Sequence, residues 1–240
     1  MPTYTVKLLK REEIAAGTMS FYFEKPEGFQ FKPGQYLDCT LADPPQTDAE
    51  GNIRSFSLAS APVEPHLMLC TRMRDTAFKR VCEKMPIGSP LNVEGPMGSF
   101  TLHNNAARTA IFIAGGIGIT PFRSMIVNAT RTKLANRIVL FYANRRPEDA
   151  AFFDELQKLE SENKNFKLIG VMTAMHESKS AWNGETGHIG KAMLSRHIPD
   201  LQGPIYYVAG PPAMVSGMKT TLTDAGVNED DIRAEDFSGY

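Results

Sequence analysis

The sequence has few of the residues that carry chemistry by themselves. Its three cysteines, Cys39, Cys70 and Cys82, are odd in number and far apart, which excludes a disulfide scaffold and a thiolate metal site and suits a reducing cytoplasm. They read as small apolar residues of strands or a helix. The five histidines, His66, His103, His176, His188 and His197, are scattered, with no i, i+4 pair of the metalloprotease type. No metal site is expected. A net charge of −1 sets up no field for nucleic acid or an anionic membrane. The longest apolar stretch, Ala110 to Phe122, is broken by three glycines and falls short of the roughly 18 residues a spanning helix needs. The opening MPTYTVKLLKREE lacks an apolar segment before a small-residue cleavage site, so no signal peptide is expected.

What is present is ordinary globular material, with 42% hydrophobic and 22% charged residues over 240 positions, enough for two domains. The first hundred residues read as six short strands (TYTVKLLK, MSFYFEKP, QYLDCTLAD, NIRSFSLAS, HLMLCTRMR and PLNVEG), parted by Gly, Pro and Asp clusters. Such spacing predicts a six-stranded antiparallel β-barrel. It is interrupted by one helix, Thr76 to Met85, with Phe78, Val81, Cys82 and Met85 at helical spacing. The polar stretch His103 to Arg108 then reads as a linker. From Thr109 onward, apolar strands (AIFIAG, RIVLFYAN, FKLIGVMTA, PIYYVAG) alternate with helices from Pro121, near Ala150 to Glu162, near Lys191 to His197 and from Pro212 to Ala225; DIRAEDF closes the run. That alternation predicts a doubly wound α/β domain with a parallel sheet covered on both faces. The expected division is 1–103 for the barrel and 109–240 for the α/β half.

Two loops of the second half mark a phosphate site. Ala114-Gly115-Gly116-Ile117-Gly118-Ile119-Thr120-Pro121 follows a buried strand and opens a helix, where free N–H groups and the positive dipole end favour an anion. Thr120 stands where an N-cap is expected and Pro121 in the first turn. The loop is neither a full G-x-G-x-x-G nor a P-loop. Ala209-Gly210-Pro211-Pro212 makes a second such turn, and two glycine loops at strand ends of one sheet imply one crevice. Asn144-Arg145-Arg146, at the end of another strand, has no acid for the ribose hydroxyls and tolerates a 2′-phosphate.

In order along the chain come Arg54-x-Phe56-Ser57, Gly95-Pro96-x-Gly98-x-Phe100, Gly115-Gly116-x-Gly118-x-Thr120-Pro121, Gly210-Pro211-Pro212 and Glu235-Asp236-Phe237. In this order and spacing the sequence resembles the ferredoxin–NADP reductase superfamily of flavin reductases over nearly its whole length. The resemblance implies FAD, with FMN the less favoured flavin, and NADH or NADPH as substrate. It assigns Arg54 to a flavin phosphate, Phe56 to the isoalloxazine and Ser57 to its N5 region. Phe stands where Tyr is commoner, which keeps the stacking and loses a hydrogen bond. A helix N-terminus against the pyrophosphate falls to Thr76 and the Ala77 backbone, with charge from Arg74. Thr120 is implied near the nicotinamide, and Gly115, Gly116, Gly118, Gly210, Pro211, Asn144 and Arg145 around the dinucleotide. Either Phe237 or Tyr240 is expected to cover the flavin and move aside for hydride transfer. In place of the plant-type Ser-Arg and Lys-x-Tyr, Thr173-Ala174 and Thr186-Gly187-His188 occur, which favours NADH. The three cysteines do not make the four-cysteine pattern of a [2Fe–2S] domain, so electrons are expected to pass to a separate protein or small-molecule acceptor. Arg72, Arg74, Lys79, Arg80 and Lys84 form a basic cluster suited to an acidic carrier. The alternatives are a free flavin reductase and a redox-inactive nucleotide-binding protein.

Overall fold

The computed structural model describes residues 1–237. The first half is a six-stranded antiparallel sheet built from β1 (Thr3–Ala15), β2 (Thr18–Glu24), β3 (Tyr36–Thr40), β4 (Ile53–Ser57), β5 (His66–Arg72) and β6 (Pro90–Met97), in the order β4-β3-β6-β1-β2-β5. Alternate side chains of these strands point to one side and meet in a single core. Val6, Leu8, Phe21, Phe23, Leu37, Cys39, Leu67, Leu69, Leu91 and Val93 all belong to it. The sheet is thereby wrapped into a barrel, whose two outermost strands, β4 and β5, come together without laddering. Helix α1 (Ala77–Lys84) plugs this core with Phe78 and Cys82. The Thr76 hydroxyl caps it by accepting from the Lys79 amide at 3.4 Å, a favoured first-turn contact. All three thiols are free and buried.

The second half carries β7 (Ala110–Gly115), α2 (Ile119–Arg131), β8 (Ile138–Asn144), α3 (Phe153–Glu162), β9 (Phe166–Met172), β10 (Glu185–Thr186), α4 (Lys191–His197), β11 (Ile205–Gly210), α5 (Pro212–Asp224) and β12 (Ile232–Asp236). The sheet is parallel throughout, in the order β10-β9-β8-β7-β11-β12. Every residue of β7 and β11 is buried, as a sheet covered on both faces requires. Phe112, Leu140, Tyr142 and Tyr207 face α2 and α3, while Ile111, Ile113, Phe141 and Val208 face α4 and α5. This is the two-layer pattern expected from the apolar strands. The short β10 has no periodic signal and was not anticipated.

The expected helix start needs correcting. Immediately after β7 the chain turns through a 3-10 segment, Gly116–Gly118, and α2 begins at Ile119 with Gly118 at the cap. Thr120 is therefore inside the first turn. Its hydroxyl reaches back to the Ile117 carbonyl at 3.1 Å and caps no amide. The glycines allow the chain to coil two residues earlier than a hydroxyl cap would suggest.

The halves are firmly joined. Phe100, just after β6, packs into the core of the parallel domain against Phe122 and Tyr207. Gly34 has φ +97°, and a Cβ there would stand 2.0 Å from the Phe100 carbonyl oxygen, so the turn before β3 needs glycine. Arg123 of α2, only 3% exposed, donates to the Ala59 carbonyl, to both oxygens of Glu64 and to both of Glu155. Burial disfavours its charge, but the two carboxylates outweigh that and raise its pKa. Ser124 adds a bond to the Ser60 carbonyl at 2.6 Å. Among the described residues no helix is long and apolar enough to cross a membrane.

Candidate functional site

The unladdered gap between β4 and β5 opens into a cleft of about 510 Å³. Strand β4 supplies Arg54, Phe56 and Ser57, and β5 supplies Cys70, Thr71 and Arg72. The approach to α1 supplies Arg74 and Thr76, and the parallel half closes the far wall with Ile117, Thr120 and Phe237. Seven of the residues that the resemblance assigns to flavin or nicotinamide thus meet in one cleft: Arg54, Phe56, Ser57, Arg74, Thr76, Thr120 and Phe237. Tyr240 lies outside the described residues.

The cleft is rich in positive charge. Arg54, Arg72, Arg74 and Lys79 line it against one carboxylate, Glu50. Partial burial, and then the neighbouring Arg74 and Arg54, lower the Lys79 pKa, as expected where cations crowd together. Such a set fits a polyanionic ligand. Phe56 is half-buried against Phe78, ring centres 5.8 Å apart, and the Arg54 guanidinium lies 5.4 Å from the Phe78 ring centre. Desolvation pushes the Cys70 thiol up to about 12, which keeps it protonated and out of nucleophilic chemistry. Arg72 also pairs with Asp149 across the domains at 3.7 Å.

The Ala77 amide, expected to face a phosphate, donates to Asp48 Oδ2 at 2.7 Å. Arg54 likewise has carboxylate partners, Glu50 Oε2 at 2.6 Å and Asp48 Oδ1 at 3.6 Å. Of the basic cluster, Arg72, Arg74 and Lys79 line the cleft. Arg80 is turned to Asp75 and Gln46, and Lys84 is exposed.

The glycine loops form a second region at the carboxyl ends of the parallel strands. A Cβ on Gly118 would lie 2.3 Å from the Ala209 carbonyl oxygen, and one on Gly210 would lie 3.1 Å from the Gly115 Cα. The two loops touch because these positions have no side chain, and Pro211 follows directly before α5. Asn144, at the end of β8, is 6% exposed. Neither side-chain atom of Asn144 has a hydrogen-bond partner among the described residues. Buried amides are normally satisfied, so this carboxamide fits a polar ligand. Arg145 is exposed and held by both oxygens of Glu177, each at 2.6 Å. Arg146 pairs with the buried Asp149.

Sequence reasoning missed several contributors. Asp48 and Glu50 sit in a loop with no periodic signal, Glu177 in a single 3-10 turn, and Arg123 on a helix face that looked purely structural. Glu235 stood in a quoted motif without being given a role. It lines a flank of the same cleft beside Asp38, Ser55 and Phe237, and burial raises its carboxyl to about 7.

Comparison with known proteins decides the architecture. Residues 112–220 match the family model described as the oxidoreductase NAD-binding domain. The ferredoxin NADP+ reductase of Neisseria gonorrhoeae, solved with bound FAD and NADP, superposes at a TM-score of 0.80 over 98% of each chain, with 20% identity. The chain has the two-domain fold of ferredoxin–NADP reductase structures, and its parallel half matches the oxidoreductase NAD-binding domain. The flavohem-like FAD/NAD binding domain of nitric oxide dioxygenase from Vibrio cholerae matches this chain at a TM-score of 0.84, covering 97% of it and 98% of that structure at 19% identity. The glycine betaine monooxygenase reductase subunit of Chromohalobacter salexigens is 29% identical over 223 residues. That alignment takes in 92% of this chain and 60% of the longer relative. The chain therefore spans about 60% of the length of that curated relative.

Proposed function

We propose that this chain is an NADH-dependent FAD oxidoreductase that passes electrons to a separate redox partner. The carrying observation is the single cleft in which Arg54, Phe56 and Ser57 of the antiparallel half face Thr120 and Phe237 of the parallel half. In this reading residues 1–103 hold the flavin and residues 109–240 the dinucleotide. When bound, the flavin would supply the redox chemistry, taking hydride from the nicotinamide and releasing electrons to the acceptor.

The protein's part is to bind, orient and exclude water. Arg54, Arg74 and Lys79 attract the flavin phosphates. Phe56 offers a ring face to the isoalloxazine, and Ser57, buried at the end of β4, offers a hydroxyl beside it. Phe237 covers the opposite wall and moves aside for the nicotinamide. Its amide is anchored to the Gly210 carbonyl at 3.0 Å, which ties this ring to the second glycine loop. Gly115, Gly116, Gly118, Gly210 and Pro211 shape the turn that receives the dinucleotide phosphates. The Asn144 carboxamide finds its missing partner on that ligand.

NADH is favoured by the bidentate Arg145–Glu177 pair. A 2′-phosphate brought to Arg145 would meet the Glu177 carboxylate, while a ribose diol finds an acceptor there. Conversion of Glu177 to Gln should lower the NADH-over-NADPH preference in kcat/KM by about tenfold. An unchanged ratio would count against this assignment.

The acceptor is a protein of an oxygenase system, by analogy with the monooxygenase reductase subunits the chain is similar to. The buried free thiols suit a cytoplasmic setting. The test is reconstitution. Protein mixed with FAD and passed through a desalting column should stay yellow and oxidise NADH with an artificial acceptor, and Arg54→Ala should weaken FAD but not riboflavin. A colourless wild-type protein that leaves NADH untouched would refute the proposal.

A further inference from the structure

The phosphate end of the cleft already holds an anion of the protein's own. The loop between β3 and β4 brings Asp48 under the first turn of α1, where Oδ2 accepts from the Ala77 amide at 2.7 Å. The other oxygen, Oδ1, accepts from the Glu50 amide at 3.0 Å and lies 3.6 Å from Arg54 Nη2. Glu50 Oε2 completes the arrangement at 2.6 Å from the same nitrogen. Arg54 Nη1 is tied to the loop as well, through the Glu50 carbonyl at 2.9 Å and the Ile53 carbonyl at 2.7 Å. A helix N-terminus and an arginine fork are together what a phosphate seeks. Here both are turned toward carboxylates, in a cleft that Arg72, Arg74 and Lys79 also line.

We infer that Asp48 and Glu50 act as an internal phosphate surrogate, which competes with the phosphates of FAD or FMN and thereby sets how tightly the flavin is held. This rests on the flavin reading above. A flavin phosphate gains Arg54 and the α1 amide only by displacing carboxylates tethered a few residues away, whose effective concentration is high. Phosphate binding at Arg54 is therefore an exchange of anions. Riboflavin, which carries no phosphate, enters the Phe56 end without that competition. The loop thus weakens discrimination in favour of phosphorylated flavins and makes the bound flavin exchangeable with flavin in solution. Asp48 is a residue governing cofactor retention, separate from the groups that face the reacting atoms.

The test compares wild type with Asp48→Asn and Asp48→Ala, with Glu50→Gln as a third variant. Asp48→Asn keeps an oxygen for the Ala77 amide while removing the charge, so that amide stays satisfied beside the Thr76 cap. Flavin affinities are read by fluorescence quenching for FAD, FMN and riboflavin, and FAD release by rapid dilution. Asp48→Asn should bind FAD and FMN about three- to tenfold more tightly and release FAD correspondingly more slowly, with riboflavin unchanged. Inorganic pyrophosphate should also shift the Ala77 amide resonance at lower concentration in the variant. FAD affinity that is unchanged or weaker in both Asp48 variants, with wild type still binding FAD, overturns the inference alone. Failure of every form to bind any flavin overturns the flavin reading and this inference with it.

Discussion

Removing Arg123 tests whether the two halves are held as one unit. All five N–H groups of its guanidinium are used: Nε and one Nη2 hydrogen on Glu155, the other Nη2 hydrogen and one Nη1 hydrogen on Glu64, and the last on the Ala59 carbonyl. Breaking a buried pair by deleting one partner costs about 3–5 kcal/mol, because a charge is left without compensation. The orphaned Glu64 and Glu155 side chains are 24% and 37% exposed, so water recovers part of their solvation and the lower figure applies. About 3 kcal/mol in a chain of this size corresponds to a fall in Tm of roughly 6–12 °C. Arg123→Met, which keeps much of the side-chain bulk, should show that fall in a thermal melt followed by circular dichroism. Arg123→Lys should rescue little, since an ammonium cannot reproduce the planar fork. FAD affinity should drop as well, because Glu64 and Ala59 lie just beyond the strand that carries Arg54, Phe56 and Ser57. A melt within about 2 °C of wild type would refute the clamp.

Other substitutions probe the same geometry. Gly118→Ala places a Cβ 2.3 Å from the Ala209 carbonyl oxygen and 2.7 Å from the Gly210 amide nitrogen. It should cost about 1–3 kcal/mol of stability, read from denaturant unfolding, and weaken NADH binding measured by calorimetry. Asn144→Leu removes a carboxamide with no partner among the described residues. Its Tm should rise by about 2–4 °C while the KM for NADH increases, so a stability gain without a KM change would remove Asn144 from the binding site. Glu235 has a folded pKa raised from 4.5 to about 7 by burial. The folded state therefore prefers the protonated acid, and stability is lost as pH climbs from about 5 through 7. The Tm advantage of Glu235→Gln over wild type should widen between pH 5 and pH 8, and a constant difference would contradict this.

The fold was legible because each half writes its own period into the sequence. The wholly apolar AIFIAG and IYYVAG could only be strands buried on both faces, and the alternating Ile53–Ser57 segment presents Phe56 and Ser57 to opposite sides. The residues of the candidate cleft on those elements, Arg54, Phe56, Ser57 and Thr76, were singled out by the resemblance to flavin reductases, since the period alone shows only a strand and a helix start. Residues whose role depends on contacts far along the chain were not. Asp48 reaches Ala77 across 29 residues and Arg123 reaches Glu64 across 59, and neither contact leaves a local pattern. The α2 start was misplaced because a Thr-Pro pair looks like a cap, whereas the preceding glycines had already begun the turn.

The most direct test is anaerobic mixing of the FAD-loaded protein with NADH in a stopped-flow spectrometer. The flavin absorbance should bleach in a single turnover, and C4-deuterated NADH should slow that bleaching by a primary isotope effect, as hydride crossing the cleft between the two halves requires. Bound FAD that stays oxidised in the presence of saturating NADH would contradict the account.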